Sequence, residues 1–598
     1  MSQKRILVAA AVSALLLSAC SGDTSSGAAD GDDSGSESGD ARTGGTLKLA
    51  GNADVLHLDP SSAYSVAEYQ IHRATTRNLF SQVVDSSGDD GPAVPAADLA
   101  VELPTVENGG ISEDGLTYTI EMQQGIEFDA PDGPREVVAE DVVRGLKRLC
   151  NPVEPSAVAS YFTATIAGLE EYCTGFAEVE GTVEAIKAYI EGNEISGVQA
   201  TGDHTVEFTL TQPAADFLSI LALGVFTSPQ PVEYLDHLPD SPDLRQNMIA
   251  TGPYRIASYE PDQSFVLERN PVWKDDTDPI RKAYVDSIEV AMGQDAAAVQ
   301  QQIEAGTVDM QFSDAVVPAA QVPALFRAKD ERLVIGGDGG IKPYIVINTL
   351  SPNADGAFGK TEVRQALNFA VDKQAIQQVL GGEAVASLAY QALPPVVPGH
   401  EEINPLEVPP AGDQAKAKQM LADAGYPDGV PVKLLYRETE PYRTIATIMQ
   451  QDLEEAGFQV ELSVTTQNAF YSEYLQNEDV TREGAWDIAP AAWGADYFGA
   501  RAYLVPMLDG RTYTAGSPNF GGWNNDEFNA AVDEALAATD EDEANAAWAE
   551  ADRIAAEDAA WVPVAFTQTP TMHSERLGGF EFLSWTRNGD VTNVFIEE

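Results

Sequence analysis

The sequence predicts an α/β protein with at least two lobes. A chain of 598 residues is too long to fold around one hydrophobic core, and its 44% of hydrophobic residues is enough to fill several. Segments with the period of a strand also alternate with segments that have the period of a helix. We therefore expect mixed sheets with helical cover rather than an all-helical or all-strand fold.

Two strands are predicted in the first half of the chain. Residues 116–122 alternate between apolar and polar side chains directly after a Glu-Asp-Gly turn. Val206, Phe208 and Leu210 alternate in the same way after a second turn. Each pattern is typical of a strand that buries one face.

The second half predicts a helical stripe and a βαβ unit. Apolar residues recur at helical spacing from Val363 to Leu380. Gly381 follows them, and a glycine at this place is typical of a helix C-terminus. Farther along, residues 430–436 form an apolar run, residues 445–456 have a helical apolar face, and residues 458–464 alternate. A strand, a helix and a strand at this spacing predict two parallel strands with a covering helix.

The charge balance excludes several functions. The chain has 35 Lys and Arg residues against 94 Asp and Glu residues, a formal net charge of −59. Such a surface repels phosphate backbones, so we expect no nucleic-acid partner.

The sequence has no phosphate-binding P-loop, no H-E-x-x-H motif and no G-x-S-x-G motif. We therefore expect no catalytic activity, no bound metal and no cofactor.

The N-terminus has the organisation of an export signal. Lys4 and Arg5 precede an apolar run at 6–17 that is too short to span a bilayer, and Leu-Ser-Ala-Cys ends at Cys20. This ending resembles a bacterial lipobox. We expect residues 1–19 to be a signal peptide and Cys20 to be lipidated; an ordinary secretory signal cleaved nearby is the alternative.

A tether is predicted between the lipid anchor and the folded chain. Residues 20–44 are rich in Gly, Ser and Asp, with no large apolar side chain. A flexible linker of this length has a reach of about 25–30 Å, enough to lift a domain from a membrane surface.

Cys150 and Cys173 are the two cysteines that remain after Cys20. An even number of cysteines in an exported protein favours a disulfide, and neither cysteine belongs to a metal-binding C-x-x-C motif. We predict a Cys150–Cys173 disulfide; two separate buried thiols are the alternative.

Several short motifs together resemble one known family, the extracytoplasmic solute-binding proteins of family 5. That family includes the oligopeptide-, dipeptide- and nickel-binding lipoproteins of ABC importers. The motifs occur in the family's order, and the resemblance covers residues 45–598. They are GTL at 45–47, LDP at 58–60, DGLTYTI at 114–120, VAEDVV at 138–143, ATGPYRI at 250–256, RNP at 269–271, VRQALNFAVD at 363–372, WD at 486–487 and WGADY at 493–497.

The resemblance implies a two-lobed clamshell of the periplasmic-binding-protein type, in its large type II, peptide-binding class with an extra subdomain. Ligand would be trapped between the lobes, which close about a hinge. The implied boundaries are 45–88, 200–292 and 565–598 for lobe I, 89–199 for its extra subdomain, and 293–564 for lobe II.

The family resemblance also implies a function. The chain would capture peptides, di- or oligopeptides, on the outer face of the bacterial cytoplasmic membrane and deliver them as a monomer to ABC permease subunits. Another solute on the same fold, such as a nickel chelate or an oligosaccharide, is an alternative ligand. A surface hydrolase or a structural lipoprotein are alternatives from other classes.

The resemblance places the ligand's anchor in the motif at 493–497. Asp496 would bind the α-amino group of a peptide, while Trp493 and Tyr497 would form flat walls. The alternative is a buried turn in which Asp496 caps a helix and Trp493 fills the core. The next residues, 498–501, are Phe-Gly-Ala-Arg, where many family members have an acidic residue and a proline.

Overall fold

The computed structural model describes residues 42–85, 93–313, 315–466, 469–494, 496–513 and 517–597. The predicted signal peptide, Cys20 and most of the predicted tether lie outside these residues. Within the described ranges, no helix combines the length and the apolar character needed to cross a lipid bilayer.

Lobe I is built on a five-stranded mixed sheet. Its first strand is parallel to both of its neighbours, and a hairpin extends the sheet in the antiparallel sense. Leu47 and Leu49 alternate with polar residues and pack in one buried cluster with Ile71 of the helix Val66–Thr75. The strand order is Met310–Phe312, Thr46–Gly51, Ser287–Ala291, Ser264–Arg269 and Tyr254–Glu260.

The extra subdomain contains a three-stranded antiparallel sheet, ordered Thr117–Glu121, Thr205–Thr209 and Val198–Gly202. The first two strands confirm the prediction made from the alternating pattern, because Tyr118 and Phe208 are buried opposite each other. The helices around it are Ala139–Arg148, Ala159–Thr165, Leu169–Ala177, Val183–Gly192 and Phe217–Leu221. Two short hairpins pair Phe80–Val84 with Ala93–Ala97 and Glu127–Phe128 with Arg135–Glu136.

The sulfur atoms of Cys150 and Cys173 lie at bonding distance in this subdomain, with their Cα atoms 5.2 Å apart. Cys150 follows the helix Ala139–Arg148, and Cys173 lies within the helix Leu169–Ala177. The predicted pairing therefore has the geometry it requires, and it would join two helices across the subdomain core.

Exported protein purified without reductant is expected to yield one cross-linked proteolytic peptide that contains both Cys150 and Cys173. Closing this loop restricts the unfolded chain, so Cys150→Ser is expected to lower the free energy of unfolding by about 3 kcal/mol. Peptide mapping by mass spectrometry, with and without reduction, checks the linkage. Alkylation of both cysteines in denatured, unreduced protein would contradict it.

Lobe II is built on a larger mixed sheet. Its order is Ala386–Leu388, Ala565–Met572, Leu333–Ile347, Ile488–Gly494, Val430–Arg437 and Phe458–Thr465, with Val562–Pro563 paired to the long strand Leu333–Ile347. Among the described residues after 290, the α-helices, which include those of lobe II, are Ala296–Glu304, Val322–Ala328, Thr361–Ala370, Lys373–Leu380, Gln414–Asp423, Tyr442–Glu455, Glu478–Arg482, Arg501–Leu508, Asp526–Ala537 and Glu541–Glu557.

The predicted βαβ unit is confirmed. Val430–Arg437 and Phe458–Thr465 pair in parallel along their whole length, and the helix Tyr442–Glu455 connects them. Ile445, Met449 and Leu453 form the buried face of that helix, as the helical spacing predicted.

The predicted single helix across 363–380 is wrong in one respect, because two helices replace it. Thr361–Ala370 ends at Val371, and Lys373–Leu380 starts after Asp372. The Asp372 carboxylate accepts a hydrogen bond from the Ala375 backbone N–H at 2.7 Å and so caps the second helix. Both helices keep their apolar faces toward the core, which is why the stripe continues across the break.

Strand pairing in the observed sheets crosses three of the predicted domain boundaries, which stay predictions. Met310–Phe312 belongs to the lobe I sheet, although 293–564 was assigned to lobe II. Ala565–Met572 belongs to the lobe II sheet, although 565–598 was assigned to lobe I. Thr205–Thr209 joins the sheet of the extra subdomain beyond its predicted end at 199. Sheet membership depends on pairing between distant segments, which local patterns do not report.

Candidate functional site

A buried strand of lobe II leads to Asp496. Ile488–Gly494 lies between Leu333–Ile347 and Val430–Arg437, and its first four residues are buried. The apolar sequence of this strand suits the middle of a sheet that is covered on both faces. Asp496 follows at the end of the strand and is half-buried, where lobe II meets lobe I.

The Asp496 carboxylate is held by two tyrosines from the other side of the interface. The Tyr64 hydroxyl donates to Oδ1, and the Tyr161 hydroxyl donates to Oδ2 at 2.5 Å. Tyr64 precedes the first helix of lobe I, and Tyr161 lies on a helix of the subdomain. Burial and the Asp496 carboxylate raise the pKa of both tyrosines, so both hydroxyls remain protonated donors.

A cavity of about 300 Å³ lies beside Asp496. Tyr69 lines it, and its buried hydroxyl has no hydrogen-bond partner among the described residues. Gly224 makes room for the Tyr69 ring, because a Cβ there would approach Tyr69 Cε1 to 2.8 Å. The full lining is Tyr64, Ser65, Val66, Tyr69, Gln82, Leu223, Gly224, Asp496, Phe498, Ser584, Trp585 and Arg587.

Of the three ligand-binding residues predicted from the sequence, only Asp496 lines this cavity. Trp493 is half-buried and donates its Nε1–H to the Ala502 carbonyl at 3.2 Å. Tyr497 is fully buried, and its hydroxyl donates to Asp216 at 2.6 Å. The structure therefore places both aromatic residues beside the cavity rather than in its wall, and Phe498 and Trp585 take the wall positions instead.

Tyr497 belongs to a second bridge between the lobes. Asp216, half-buried in the subdomain, accepts the Tyr497 hydroxyl and also faces Arg501 Nη1 at 3.4 Å. Burial lowers the pKa of Arg501, but the neighbouring Asp216 carboxylate outweighs it and the pKa is raised. The arginine that departs from the family pattern thus pairs with an acid of the opposite lobe.

Tyr64, Tyr161, Tyr69, Trp585 and Arg587 were not predicted from the sequence. They come from segments on both sides of lobe II in the chain, and none lies in a motif with recognisable chemistry. Tyr64 and Tyr161 are separated from Asp496 by 432 and 335 residues, so only the fold brings them to its carboxylate.

Comparisons with known proteins show what this chain is similar to. The model of the family described as "Bacterial extracellular solute-binding proteins, family 5 Middle" matches residues 99–551. Heme-binding protein A of Haemophilus influenzae is 26% identical over 532 aligned positions, and the alignment covers 86% of this chain and 86% of that protein. Di/tripeptide-binding protein 1 of Pseudomonas aeruginosa is 27% identical over 494 aligned positions, and the alignment covers 79% of this chain and 83% of that protein.

A solved structure confirms the fold. The clavulanic acid biosynthesis oligopeptide binding protein 2 superimposes with a TM-score of 0.78 at 26% identity, covering 93% of this chain and 96% of that one. The predicted α/β clamshell with two lobes is therefore the observed fold, and the cavity beside Asp496 lies where its lobes meet.

Proposed function

Because the chain belongs to family 5 of the bacterial extracellular solute-binding proteins, we propose that it captures short peptides outside the membrane, with Asp496 as the anchor for their α-amino group. One observation carries the proposal. Asp496 forms no ion pair with any described residue, although its carboxylate lies half-buried between the lobes and beside a cavity. A carboxylate in this position favours a cationic ligand group.

The hydrogen bonds already made to Asp496 leave room for an ammonium group. An ionised carboxylate offers about four acceptor positions. Tyr64 and Tyr161 use one on each oxygen. An ammonium enclosed by the lobes loses its water and needs charged acceptors in exchange, which the remaining positions supply.

The size and lining of the cavity support a small ligand with polar groups. Pockets for small ligands range from about 300 to 1,000 Å³, and this one is at the lower end. Phe498 and Trp585 offer apolar surface, while Gln82 and Ser584 offer hydrogen bonds. This combination favours a di- or tripeptide over haem, the ligand in the name of one relative.

The mechanism of this proposal is capture and delivery without catalysis. Asp496 with Tyr64 and Tyr161, and Asp216 with Arg501, join the lobes within the motif at 493–497 and just after it. Ligand that binds between the lobes adds contacts that exist only when they are closed, so it shifts the open–closed equilibrium toward closure. The closed monomer would then dock on the permease subunits of an ABC importer, whose own ATPase supplies the energy.

Native mass spectrometry with peptide libraries tests the proposed function. Protein mixed with an equimolar library of random tripeptides is expected to retain one peptide per chain. The same library acetylated at its N-termini is the matched control and is expected to leave the protein empty. Equal retention of both libraries would reject Asp496 as an amine anchor, and retention of neither would reject tripeptides as ligands.

The lipid anchor is a second part of the proposal and rests on the sequence around Cys20. Cys20→Ala is expected to abolish incorporation of labelled palmitate and to leave either released protein or unprocessed precursor. Fractionation of cells into membranes and medium, together with the labelling, checks this. Unchanged labelling of the variant would show that Cys20 is not the lipidated residue.

A further inference from the structure

Arg587 lies in an anchored turn at the edge of the cavity. The turn joins the short strands Phe582–Leu583 and Asn588–Gly589 of lobe I. Thr586 and Asn588, on either side of Arg587, are each 1% exposed. The Asn588 side chain donates to the Gln311 carbonyl at 3.0 Å, which ties the turn to the lobe I sheet. The buried neighbours fix the position of Arg587, while its own side chain is exposed.

The backbone of Arg587 adopts a conformation that favours glycine. Its φ is 49°, in the left-handed region that residues with a Cβ rarely enter. Such conformations persist where the surrounding structure imposes them, and they cluster at binding sites. Here the conformation presents a long cationic side chain at the cavity rim, where a glycine would present nothing.

Arg587 also lacks a partner where acids are abundant. It forms no hydrogen bond or ion pair with any described residue, although acidic residues outnumber basic ones 94 to 35. By contrast, the half-buried Arg553 pairs with two glutamates of its own helix. The five N–H donors of the Arg587 guanidinium are therefore available to a ligand.

Asp496 and Arg587 place opposite charges on the two lobes across one cavity. They do not pair with each other, yet the Arg587 charge reaches the site, since it opposes the rise in the pKa of Tyr64 caused by burial and by Asp496. A ligand with an ammonium group at one end and a carboxylate at the other matches this separation of charge.

We propose that Arg587 binds a carboxylate of the same ligand whose ammonium group binds Asp496, so that the site selects short zwitterionic peptides. This inference rests on the proposed function. A guanidinium recognises a carboxylate through two parallel N–H···O bonds, and the flanking buried residues fix the backbone from which this one extends. Either the C-terminus or an acidic side chain can supply the carboxylate, and the rim position of Arg587 suits both.

Calorimetry on the full mature protein with matched peptides tests the inference. The probes are trialanine, its C-terminal amide, and the amide of Ala-Glu-Ala. We expect trialanine to bind at least about tenfold more tightly than its amide to the wild type, and Arg587→Gln to remove that difference. Recovered binding of the Ala-Glu-Ala amide to the wild type would assign the carboxylate to a side chain, and no recovery would assign it to the C-terminus.

Arg327→Gln is the matched control, because it removes the same charge from an exposed arginine of the helix Val322–Ala328, away from the cavity. It is expected to keep the preference for the free acid. Equal binding of trialanine and both amides to the wild type, or an equal loss in both variants, would overturn the role of Arg587 while leaving amine recognition intact. Failure of all three probes to bind would reject the proposed function and this inference with it.

Discussion

Replacing Asp496 by asparagine is expected to weaken binding of peptides with a free α-amino group at least about thirtyfold. Removing one partner of an enclosed, hydrogen-bonded charge pair costs about 2–5 kcal/mol, and the half-buried position of Asp496 favours the lower end of that range. Asparagine keeps the volume and one acceptor oxygen, so the hydrogen bond from one tyrosine can persist. Calorimetry with a bound tripeptide and its N-acetylated form measures the change.

The ratio of the two affinities separates charge recognition from lobe closure. The wild type is expected to prefer the free amine, and Asp496→Asn is expected to bind both forms alike. Asp216→Asn is the matched control, since it alters the other carboxylate bridge between the lobes without facing the cavity. Asp216→Asn is expected to weaken binding of both peptide forms by the same factor and to keep the preference for the free amine. A preference retained in Asp496→Asn would show that another group binds the amine.

Local patterns predicted the elements of this fold well because each depends on nearby residues. The alternation at 116–122 and the βαβ unit at 430–464 needed only periods of two and 3.6 residues. Asp372 shows the limit of that approach. Its apolar neighbours continue the helical stripe, and only the cap made by its side chain shows that a new helix begins.

The boundaries between lobes could not be predicted in the same way. Met310–Phe312 and Ala565–Met572 are strands whose sheets are decided by partners far along the chain. A short strand has the same local pattern in either lobe. The chain therefore passes from one sheet to the other at points where its composition does not change.

The sequence predicted one residue of the candidate site and did not indicate the others. Asp496 belongs to a motif that resembles the family, whereas Tyr64 and Tyr161 are ordinary tyrosines until the fold brings them to its carboxylate. Tyr497 shows that adjacency in sequence is not adjacency in a site. It points away from Asp496, into the interface with Asp216.

Replacing Asp98 by alanine is expected to give the largest loss of stability, about 3–5 kcal/mol in the free energy of unfolding. Asp98 is fully buried between Arg77 and Arg281, which it contacts at 2.7 and 2.9 Å. Both arginines are buried as well, so the variant leaves two enclosed cations with one acid fewer. Asp278 still contacts Arg281 at 3.2 Å and keeps part of the cluster.

The same cluster predicts a dependence of stability on pH. Burial raises the pKa of Asp98, but Arg281 and Arg77 outweigh it and hold the pKa well below its usual range. A carboxyl whose pKa is lowered by folding stabilises the folded state above its unfolded pKa, about 3.9, and loses this contribution as the pH falls below that value. The wild type should therefore lose stability under acid, and Asp98→Ala should lose less over the same range.

Urea unfolding of both proteins between pH 7 and pH 3 measures these effects. Glu550→Ala is the matched control, because it removes an acid from an exposed pair with Arg553 and is expected to cost less than about 1 kcal/mol. Asp98→Asn keeps the shape and one acceptor, so it should fall between the wild type and the alanine variant. A loss for Asp98→Ala no larger than that for Glu550→Ala would show that the buried arginines find other partners, and that this cluster does not hold lobe I together.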